Sequence, residues 1–277
     1  MGSQILYITT LTALIVELFH CTVRDESFLI RIYGKNTDIL IDRSREVENL
    51  LKLNAAGLAP ELIVQFENGL VYRFIPGRIL STEELPRYAS EIACHLHKWH
   101  ELETSKSSLL WDTITIWLKQ VPDESVAKEL EWLKEKCQSF DCPVVFSHND
   151  LLHANVILDP DQEIHFIDYE YASPAELPFD IANHFCEYAG FECNYEMFPS
   201  ETTQKSFITA YYGEDATEGK VNELYEKVRW FCLASHMYWA LWARVQETIS
   251  EIEFGYGKYT EMRWSEYWRM KNQFMEE

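Results

Sequence analysis

The sequence predicts an α+β protein with a small, β-rich N-terminal lobe and a larger, mainly helical C-terminal lobe. Short runs of β-branched and aromatic residues crowd residues 1–78, and such residues favour strands. From Ser81 onward the apolar residues recur at helical spacing instead. The sequence contains no internal repeat, and it has no linker long enough to separate independent domains. We therefore expect two lobes, residues 1–78 and 79–277, with Pro76-Gly77 as the hinge.

The chain of 277 residues is strongly acidic, with 24 basic against 45 acidic residues and a formal net charge of −21. Nucleic-acid phosphates bind basic surfaces, so we expect no nucleic-acid partner. An acidic surface favours a cationic substrate, although solubility is the commoner reason for such a charge.

Seven cysteines, an odd number without a C-x-x-C pair, favour reduced thiols and a cytoplasmic protein. The apolar run Ile5–Phe19 is shorter than the ~20 residues that span a bilayer, and it contains Glu17. We interpret the run as one or two strands and expect neither a membrane span nor a targeting signal.

A short strand at Val144–Phe146 is followed by the polar cluster His148-Asn149-Asp150, with Asn155 five residues after the aspartate. The pattern H-x-D-x-x-x-x-N is typical of the catalytic loop of a kinase-like phosphotransferase. The aspartate of that loop accepts the proton of a substrate hydroxyl, and the asparagine oxygen is a ligand for Mg²⁺.

A second apolar run, Ile164–Ile167, ends in Asp168-Tyr169-Glu170 after a predicted hairpin turn at Asp159-Pro160-Asp161. Surface strands with solvated carboxylates are the alternative interpretation of each cluster alone. Two such clusters in this order, separated by a short hairpin turn, are much rarer by chance than either cluster alone. An aspartate at the end of the second strand is also where kinases bind the metal. We therefore expect Asn155 and Asp168 to hold Mg²⁺, with ATP as the phosphoryl donor.

Arg31 lies within the predicted strand Phe28–Gly34. Kinases place the cation that contacts nucleotide phosphates in the third strand of a small sheet, although a salt-bridged surface arginine is an equally good interpretation. The predicted helix Arg43–Asn54 would bring Glu46 or Glu48 to this strand. A second predicted hairpin turns at Asn68-Gly69, between Leu62–Phe66 and Leu70–Ile75.

The C-terminal lobe is predicted to contain six main helices. They are Arg87–Glu101, Leu109–Lys119, Glu124–Ser139, Pro178–Gly190, Gly219–Ser250 and Lys258–Phe274. Asp180 could hold the catalytic loop, although an aspartate in a first helical turn is favoured without any function. Trp239 and Trp242 share one face of the longest helix, as part of the core or as the wall of a pocket for an ammonium group.

No phosphate-binding glycine motif is present, neither G-x-G-x-x-G nor G-x-x-x-x-G-K-[ST]. This absence excludes the P-loop class of phosphotransferases.

In combination, these stretches resemble the choline/ethanolamine kinases, relatives of aminoglycoside phosphotransferases with a two-lobed, protein-kinase-like fold. The similar stretches cover most of the chain in the family's order. They are FLIRIYG (28–34), FSHNDLLHANVIL (146–158), HFIDYEYASP (165–174), FDIANHFCEYAG (179–190), SHMYWALWARVQ (235–246) and IEFGYGKY (252–259).

The resemblance implies a role for each matching residue. Asp150 would be the catalytic base toward the substrate hydroxyl, assisted by Asn155, which with Asp168 would hold Mg²⁺. Glu170 would support the metal site or the substrate ammonium group. Other implied roles are phosphate contacts by Arg31 with its partner Glu46, backbone contacts to adenine from Arg73, Phe74 and Ile75, and an aromatic cation site formed by Trp239, Trp242 and Tyr259.

Within the family, Leu151-Leu152 after His-Asn-Asp and the ending Ala189-Gly190 resemble the ethanolamine kinases. A primary ammonium favours carboxylate partners, whereas a quaternary ammonium needs an aromatic cage. Both elements are visible, so ethanolamine is the expected substrate and choline the alternative. An aminoglycoside kinase is a weaker alternative, because the paired tryptophans disfavour it. A second copy of the chain, in a homodimer, is one of the expected partners.

One stretch departs from the family. Its members open with a G-G-x-[ST]-N turn over the phosphates, where the aligned residues here are Thr9–Ala13, without glycine or asparagine. Glycine lets the backbone approach phosphates closely, and threonine obstructs that approach. A catalytically weak pseudokinase that binds ligands is therefore the rival hypothesis, against which the complete set Asp150, Asn155 and Asp168 argues.

Overall fold

The computed structural model describes residues 6–12, 16–34, 40–250 and 252–276. The chain divides into two compact units. The first comprises Met1–Arg78 and Ile157–Glu170, and the second comprises Ile79–Val156 and Tyr171–Glu277. The hairpin that leads to Asp168 therefore belongs to the unit formed by the N-terminal part of the chain.

Ten strands and eight α-helices are present in the described residues. The strands are β1 (Leu6–Thr12), β2 (Val16–Val23), β3 (Glu26–Tyr33), β4 (Leu62–Phe66), β5 (Gly69–Arg73), β6 (Arg78–Ile79), β7 (Val144–Ser147), β8 (Val156–Leu158), β9 (Ile164–Phe166) and β10 (Ser173–Glu176). The helices are α1 (Arg43–Ala55), α2 (Ala89–His100), α3 (Leu110–Gln120), α4 (Glu124–Gln138), α5 (Leu177–Cys186), α6 (Glu201–Tyr212), α7 (Glu218–Ile249) and α8 (Tyr256–Glu276).

The first unit is built on an antiparallel sheet with the strand order β1-β2-β3-β5-β4. The apolar N-terminal run contains parts of two strands, as predicted, and the hairpin of β4 and β5 is confirmed. Gly69 begins β5 opposite Ile32. A Cβ atom at Gly69 would lie 2.2 Å from the carbonyl oxygen of Arg31, so only glycine permits this close approach of the two strands.

Helix α1 follows β3 and begins at a well-capped residue. The side chain of Asp42 accepts a hydrogen bond from the Arg45 N–H, which satisfies one free donor of the first turn. The helix buries Val47, Leu50 and Leu53, which recur at the spacing of one helical face. The predicted helix is thus confirmed, and its N-terminal end carries Glu46.

The second unit is mainly helical, and α7 is its central element. Almost every side chain from Phe231 to Ala243 is buried, which requires neighbours on all sides of the helix. Helices α5 and α8 supply most of these neighbours, and α3, α4 and α6 also pack against α7. The prediction of an α+β fold with a small strand-rich part and a larger helical part is confirmed.

The six predicted helices are all present, with ends displaced by a few residues. Three elements, helix α6 and the strands β6 and β10, were not predicted. Helix α6 precedes the long helix, and strand β10 pairs with β7 so that Ser173 lies opposite Ser147. Among the described residues, no helix combines the length and the apolar character that crossing a bilayer requires.

Candidate active site

The loop after β7 carries the H-x-D sequence and is held by a carboxylate of α5. Asp180 accepts hydrogen bonds from the backbone N–H groups of His148, at 2.7 Å, and Asn149, at 2.8 Å. The φ angle of Asn149 is 64°, in the left-handed region that asparagine tolerates better than most residues. The contact predicted between Asp180 and this loop is confirmed.

Asp180 is fully buried, and its charge is balanced by hydrogen bonds. Burial raises the pKa of its carboxyl, but hydrogen bonds from His100 and from the loop N–H groups outweigh burial, so the pKa of Asp180 lies below its usual value. His100 Nε2 lies 3.0 Å from Asp180 Oδ2, and His100 Nδ1 lies 2.8 Å from Tyr211 Oη. The partner in α2 was not predicted, because 80 residues separate it from Asp180 in the chain.

Asp150 ends this loop, and Asn155 fixes its orientation. The side-chain N–H₂ of Asn155 donates to Asp150 Oδ2 at 3.0 Å and to the Asp150 carbonyl oxygen at 2.8 Å. Since the amide nitrogen is used in these bonds, the amide oxygen of Asn155 is the atom left for a cation. The two residues of the H-x-D-x-x-x-x-N motif therefore lie in direct contact.

Helix α7 brings two indole rings together in the same unit. The ring centroids of Trp239 and Trp242 lie 5.4 Å apart, with the rings inclined at 75°. Trp239 Nε1 donates to Asn183 Oδ1 at 2.7 Å, and Trp242 Nε1 donates to Tyr171 Oη at 2.7 Å. Both indole N–H groups are thus paired with polar partners, as is usual for buried tryptophans, and these bonds fix the orientation of the two rings.

Tyr259 of α8 lies beside a buried ion pair. Arg263 Nη1 donates to Glu187 Oε1 at 2.9 Å and to Tyr259 Oη at 3.3 Å, while Nη2 donates to Ser235 Oγ at 2.9 Å. Burial raises the pKa of Glu187, and the guanidinium of Arg263 offsets part of this shift. Neither charged residue was predicted as part of a site. Glu187 lies within the FDIANHFCEYAG stretch, but nothing in the sequence pairs it with a residue 76 positions later.

In the first unit, Arg31 is buried among three carboxylates. Its Nη1 lies 2.8 Å from Asp168 Oδ1 and 3.2 Å from Glu46 Oε1, and its Nη2 contacts Glu170 Oε2. Burial alone lowers the pKa of an arginine, but attraction to Asp168, Glu170 and Glu46 raises the pKa of Arg31 well above its usual value. Of the two glutamates considered in α1, the structure places Glu46 at Arg31.

Glu170 belongs to the same group of ion pairs. Its Oε2 contacts Arg31 and lies 3.5 Å from Arg43 Nη1, and Arg43 Nη1 also lies 2.8 Å from Glu46 Oε2. The carboxylate of Glu170 is therefore already paired with two guanidinium groups. Of its two predicted roles, this arrangement favours support of the neighbouring Asp168 over binding of an ammonium group.

The segment predicted to face adenine runs on from β5. The backbone N–H of Arg73 donates to Glu61 O and that of Phe74 to Ser27 O, both at 3.0 Å. These two N–H groups are thus used within the unit, and a donor to adenine from this segment would have to come from Ile75. The Arg73 side chain is exposed.

The departure predicted at Thr9–Ala13 lies mostly in a strand. Thr9–Thr12 belong to β1, and Thr10 is paired with Phe19 and Thr12 with Glu17 of β2. Ala13 lies outside the described residues. Residues 9–12 are therefore paired strand residues, and β-branched threonines are favoured at such positions.

The predicted site residues divide between the two units. The first unit brings together Arg31, Glu46, Asp168 and Glu170, and also contains Arg73, Phe74 and Ile75. The second unit contains Asp150, Asn155, Trp239, Trp242 and Tyr259. The predicted metal ligands, Asn155 and Asp168, thus come one from each unit.

Each of these two residues, taken by itself, offers an oxygen atom of the kind that a hard divalent cation binds. Asn155 offers an amide oxygen, and the Asp168 side chain is 32% exposed, with Oδ1 on Arg31. Oxygen ligands of this kind, supplemented by water and phosphate, are what Mg²⁺ prefers. The φ angle of Asp168 is 67°, a left-handed conformation that points to a constrained position rather than a plain strand end.

The sequence profile described as "Choline/ethanolamine kinase" matches residues 9–268. Mouse Ethanolamine kinase 2 is 37% identical over 284 residues, covering 93% of this chain and 74% of its own length. These matches extend over both units.

The fold of this chain is also similar to those of solved kinase structures, among them an ethanolamine kinase and a choline kinase. An ethanolamine kinase from Plasmodium vivax superimposes with a TM-score of 0.90 at 28% identity, over 95% of this chain and 82% of that one. A choline kinase from Cryptosporidium parvum does so with a TM-score of 0.83 at 25% identity, over 98% of this chain and 90% of that one.

Proposed function

The chain belongs to the choline/ethanolamine kinase family, and on this basis we propose that it transfers the γ-phosphoryl group of ATP to the hydroxyl of ethanolamine. The observation that carries the proposal is the 37% identity to mouse Ethanolamine kinase 2 along 93% of the chain. The product would be O-phosphoethanolamine, the first intermediate of phosphatidylethanolamine synthesis by the CDP-ethanolamine route. The seven free cysteines agree with a reducing, cytoplasmic setting.

Asp150 is the proposed catalytic base. Its carboxylate accepts the proton of the substrate hydroxyl as the oxygen attacks the γ-phosphorus in line with the leaving ADP. The hydrogen bond that Asn155 donates at 3.0 Å fixes the carboxylate, and the hydrogen bonds that Asp180 accepts from backbone N–H groups fix the loop. Positioning of this kind supplies much of the rate in phosphoryl transfer, because the protein makes no covalent bond to the phosphate.

Asn155 and Asp168 are proposed to hold Mg²⁺, which neutralises charge on the phosphate oxygens when it is bound. Arg31 would contact the phosphates while Glu46 and Glu170 keep its guanidinium in place. Arg73, Phe74 and Ile75 would line the adenine, with Ile75 as the donor.

The aromatic residues Trp239, Trp242 and Tyr259 are proposed to bind the ammonium group. Each ring contributes roughly 0.5–2 kcal/mol by cation–π attraction once water is excluded. A primary ammonium also donates three hydrogen bonds, so ethanolamine gains from polar partners that choline cannot use. Choline is the second candidate, because the aromatic rings alone suit a quaternary ammonium.

A coupled assay of ADP release tests the proposal. Purified protein is given Mg-ATP with ethanolamine, with choline, or without an acceptor. We expect ethanolamine to give the highest kcat/KM and the acceptor-free reaction to stay near background. No turnover on either amino alcohol, with ethanolamine still raising the melting temperature, would instead favour the pseudokinase.

A further inference from the structure

Both indole N–H groups of the aromatic pair are connected to Asn149, the residue before Asp150. Trp239 Nε1 donates to Asn183 Oδ1 at 2.7 Å, and Asn183 Nδ2 donates to the Asn149 carbonyl oxygen at 3.1 Å. The first connection thus consists of one side chain, that of Asn183, between the indole and the loop backbone.

The second connection passes through Tyr171. Trp242 Nε1 donates to Tyr171 Oη at 2.7 Å, and Asn149 Nδ2 donates to the Tyr171 carbonyl oxygen at 2.9 Å. The Tyr171 and Trp239 rings also meet edge to face, with centroids 5.4 Å apart. The loop of Asp150 is therefore joined to the Trp239 ring through the amide of Asn183, and to the Trp242 ring through the backbone and side chain of Tyr171.

We propose that Asn183 is a positioning residue that sets the separation between the Asp150 carboxylate and the Trp239 ring, and so limits the size of the ammonium group on the amino alcohol whose hydroxyl the enzyme phosphorylates. This inference rests on the proposed function, since it takes Asp150 as the base and Trp239 as part of the cation site. Asn183 itself touches neither substrate nor nucleotide in this account.

Asparagine suits this position because both ends of its amide are used. The oxygen accepts from Trp239 Nε1 and from Ser235 Oγ at 2.9 Å, while the nitrogen donates to Asn149 O. Aspartate has the same shape but cannot donate, and leucine has a similar size but neither donates nor accepts. The side chain is fully buried, so no water can replace a lost partner without a rearrangement.

The Ser235 bond extends the arrangement to a second part of the proposed cation site. Ser235 Oγ accepts from Arg263 Nη2 at 2.9 Å, and Arg263 Nη1 reaches Tyr259 Oη. Asn183 is therefore bonded directly to the loop and to Trp239, and through Ser235 Oγ to the Arg263 side chain. A shift at this residue changes the distance between base and ring, and misplacement by about 1 Å costs on the order of 100-fold in rate.

The first test compares Asn183→Asp with Gln204→Glu. The aspartate keeps acceptors for Trp239 and Ser235 but places an oxygen against Asn149 O, which pushes the loop away. We expect kcat to fall at least about 10-fold at saturating substrates, while KM for ATP stays within about twofold. Gln204 is a matched control: it is a buried amide in α6 whose nitrogen donates to Pro199 O, a partner outside the loop of Asp150, so Q204E should lose stability without this loss of kcat.

The second test uses Asn183→Leu, Trp239→Phe and the double variant. Because the phenylalanine ring has no N–H, W239F and N183L remove the same hydrogen bond from opposite sides. We expect their effects on KM for ethanolamine to be non-additive, and N183L to narrow the preference for ethanolamine over choline by at least about threefold. A structural role alone would not change the ratio between two substrates.

Three results would overturn the inference: kcat retained in folded N183D, strictly additive effects of N183L and W239F, or an unchanged ethanolamine-to-choline ratio in N183L. If wild-type protein turns over neither amino alcohol, the proposed function fails first. If the wild type is active and the Asn183 variants behave like Q204E, only the positioning role fails. Thermal unfolding of every variant checks that folded protein is compared.

Discussion

At the residue scale, Arg31 shows how a side chain proposed to bind phosphate is also held by its own unit. Its guanidinium contacts Glu46, Asp168 and Glu170, and its side chain is 6% exposed. Charges buried in this way depend on one another, because removing one partner leaves the others without compensation. Arg73 in the same unit is the opposite case, with an exposed side chain paired with Glu61 at 2.8 Å.

This contrast gives a stability prediction. Arg31→Met should lower the free energy of unfolding by roughly 3–5 kcal/mol, because three carboxylates lose their buried cation. Arg31→Lys should keep the fold and raise KM for ATP, since an ammonium cannot bridge three carboxylates as a planar guanidinium does. Urea unfolding and ATP titrations measure the two effects.

The control for that prediction is Arg73→Met, which removes an exposed ion pair. Solvent screens such pairs, so its unfolding curve should coincide with that of the wild type. Equal losses of stability in R31M and R73M would contradict the burial argument.

The same scale shows what could be predicted for the site. Asp150, Asn155 and Asp168 each stand in a short motif whose spacing is visible in the sequence, and Arg31 stands in a predicted strand. Asn183 and Glu187 acquire their meaning only from partners in α7 and α8. Such pairs are far apart in the chain and leave no local sequence pattern, so only the contacts in the structure identify them.

At the scale of elements, one face of α5 supports the loop that follows β7 and carries Asp150. Asp180, Asn183 and His184 lie at positions i, i+3 and i+4, which share a face of a helix. Asp180 binds the N–H groups of the loop, Asn183 its carbonyl at Asn149, and His184 Nδ1–H donates to Leu151 O at 2.8 Å.

His184 makes this support dependent on pH. Burial and, to a smaller extent, nearby His148 lower the pKa of His184, whereas the hydrogen bond to Leu151 and the charge of Asp180 raise it. Burial dominates, and the pKa of His184 falls to about 4. His184 binds a proton more readily in the unfolded chain, where its pKa is about 6.5, than in the folded protein. The folded protein therefore loses stability as the pH falls below about 6.5. We expect stability to decline between pH 6.5 and about 4, by about 3 kcal/mol in all from this residue.

His184→Asn is the matched variant, because its amide can donate to Leu151 O and does not titrate. Melting temperatures from pH 7 to 4.5 should fall less steeply for H184N than for the wild type. Asp180, whose pKa lies below its usual value, loses its contribution only at lower pH, so it does not mask the difference. Parallel curves for the two proteins would refute the assignment to His184.

Elements with strong local signals could be predicted, and weak ones could not. The Asn68-Gly69 turn and the apolar stripes of α2, α3 and α4 are such signals. Helix α6 was missed because its sequence contains three threonines and two tyrosines, which favour helices little. Its N-terminus nevertheless carries a signal, since Ser200 Oγ accepts from the Thr203 N–H.

At the scale of the whole molecule, the chain passes between the two units three times, after Arg78, Val156 and Glu170. Only Val156 separates Asn155 from the second passage, and the third passage comes two residues after Asp168, so each proposed metal ligand lies close in the chain to a point of passage. The fold class could be predicted from the change from strand to helix patterns. That residues 157–170 join the first unit follows from tertiary contacts, which the patterns do not encode.

In the proposed reaction the γ-phosphoryl group of ATP is transferred to the hydroxyl of ethanolamine, with Asp150 as the base. The most direct measurement follows that group by ³¹P NMR in wild type and folded Asp150→Asn, each with Mg-ATP and ethanolamine. We expect O-phosphoethanolamine and ADP in equal amounts from the wild type, and a rate lower by roughly 10²–10⁴ in D150N. Inorganic phosphate in place of O-phosphoethanolamine, or an undiminished rate in D150N, would contradict the account.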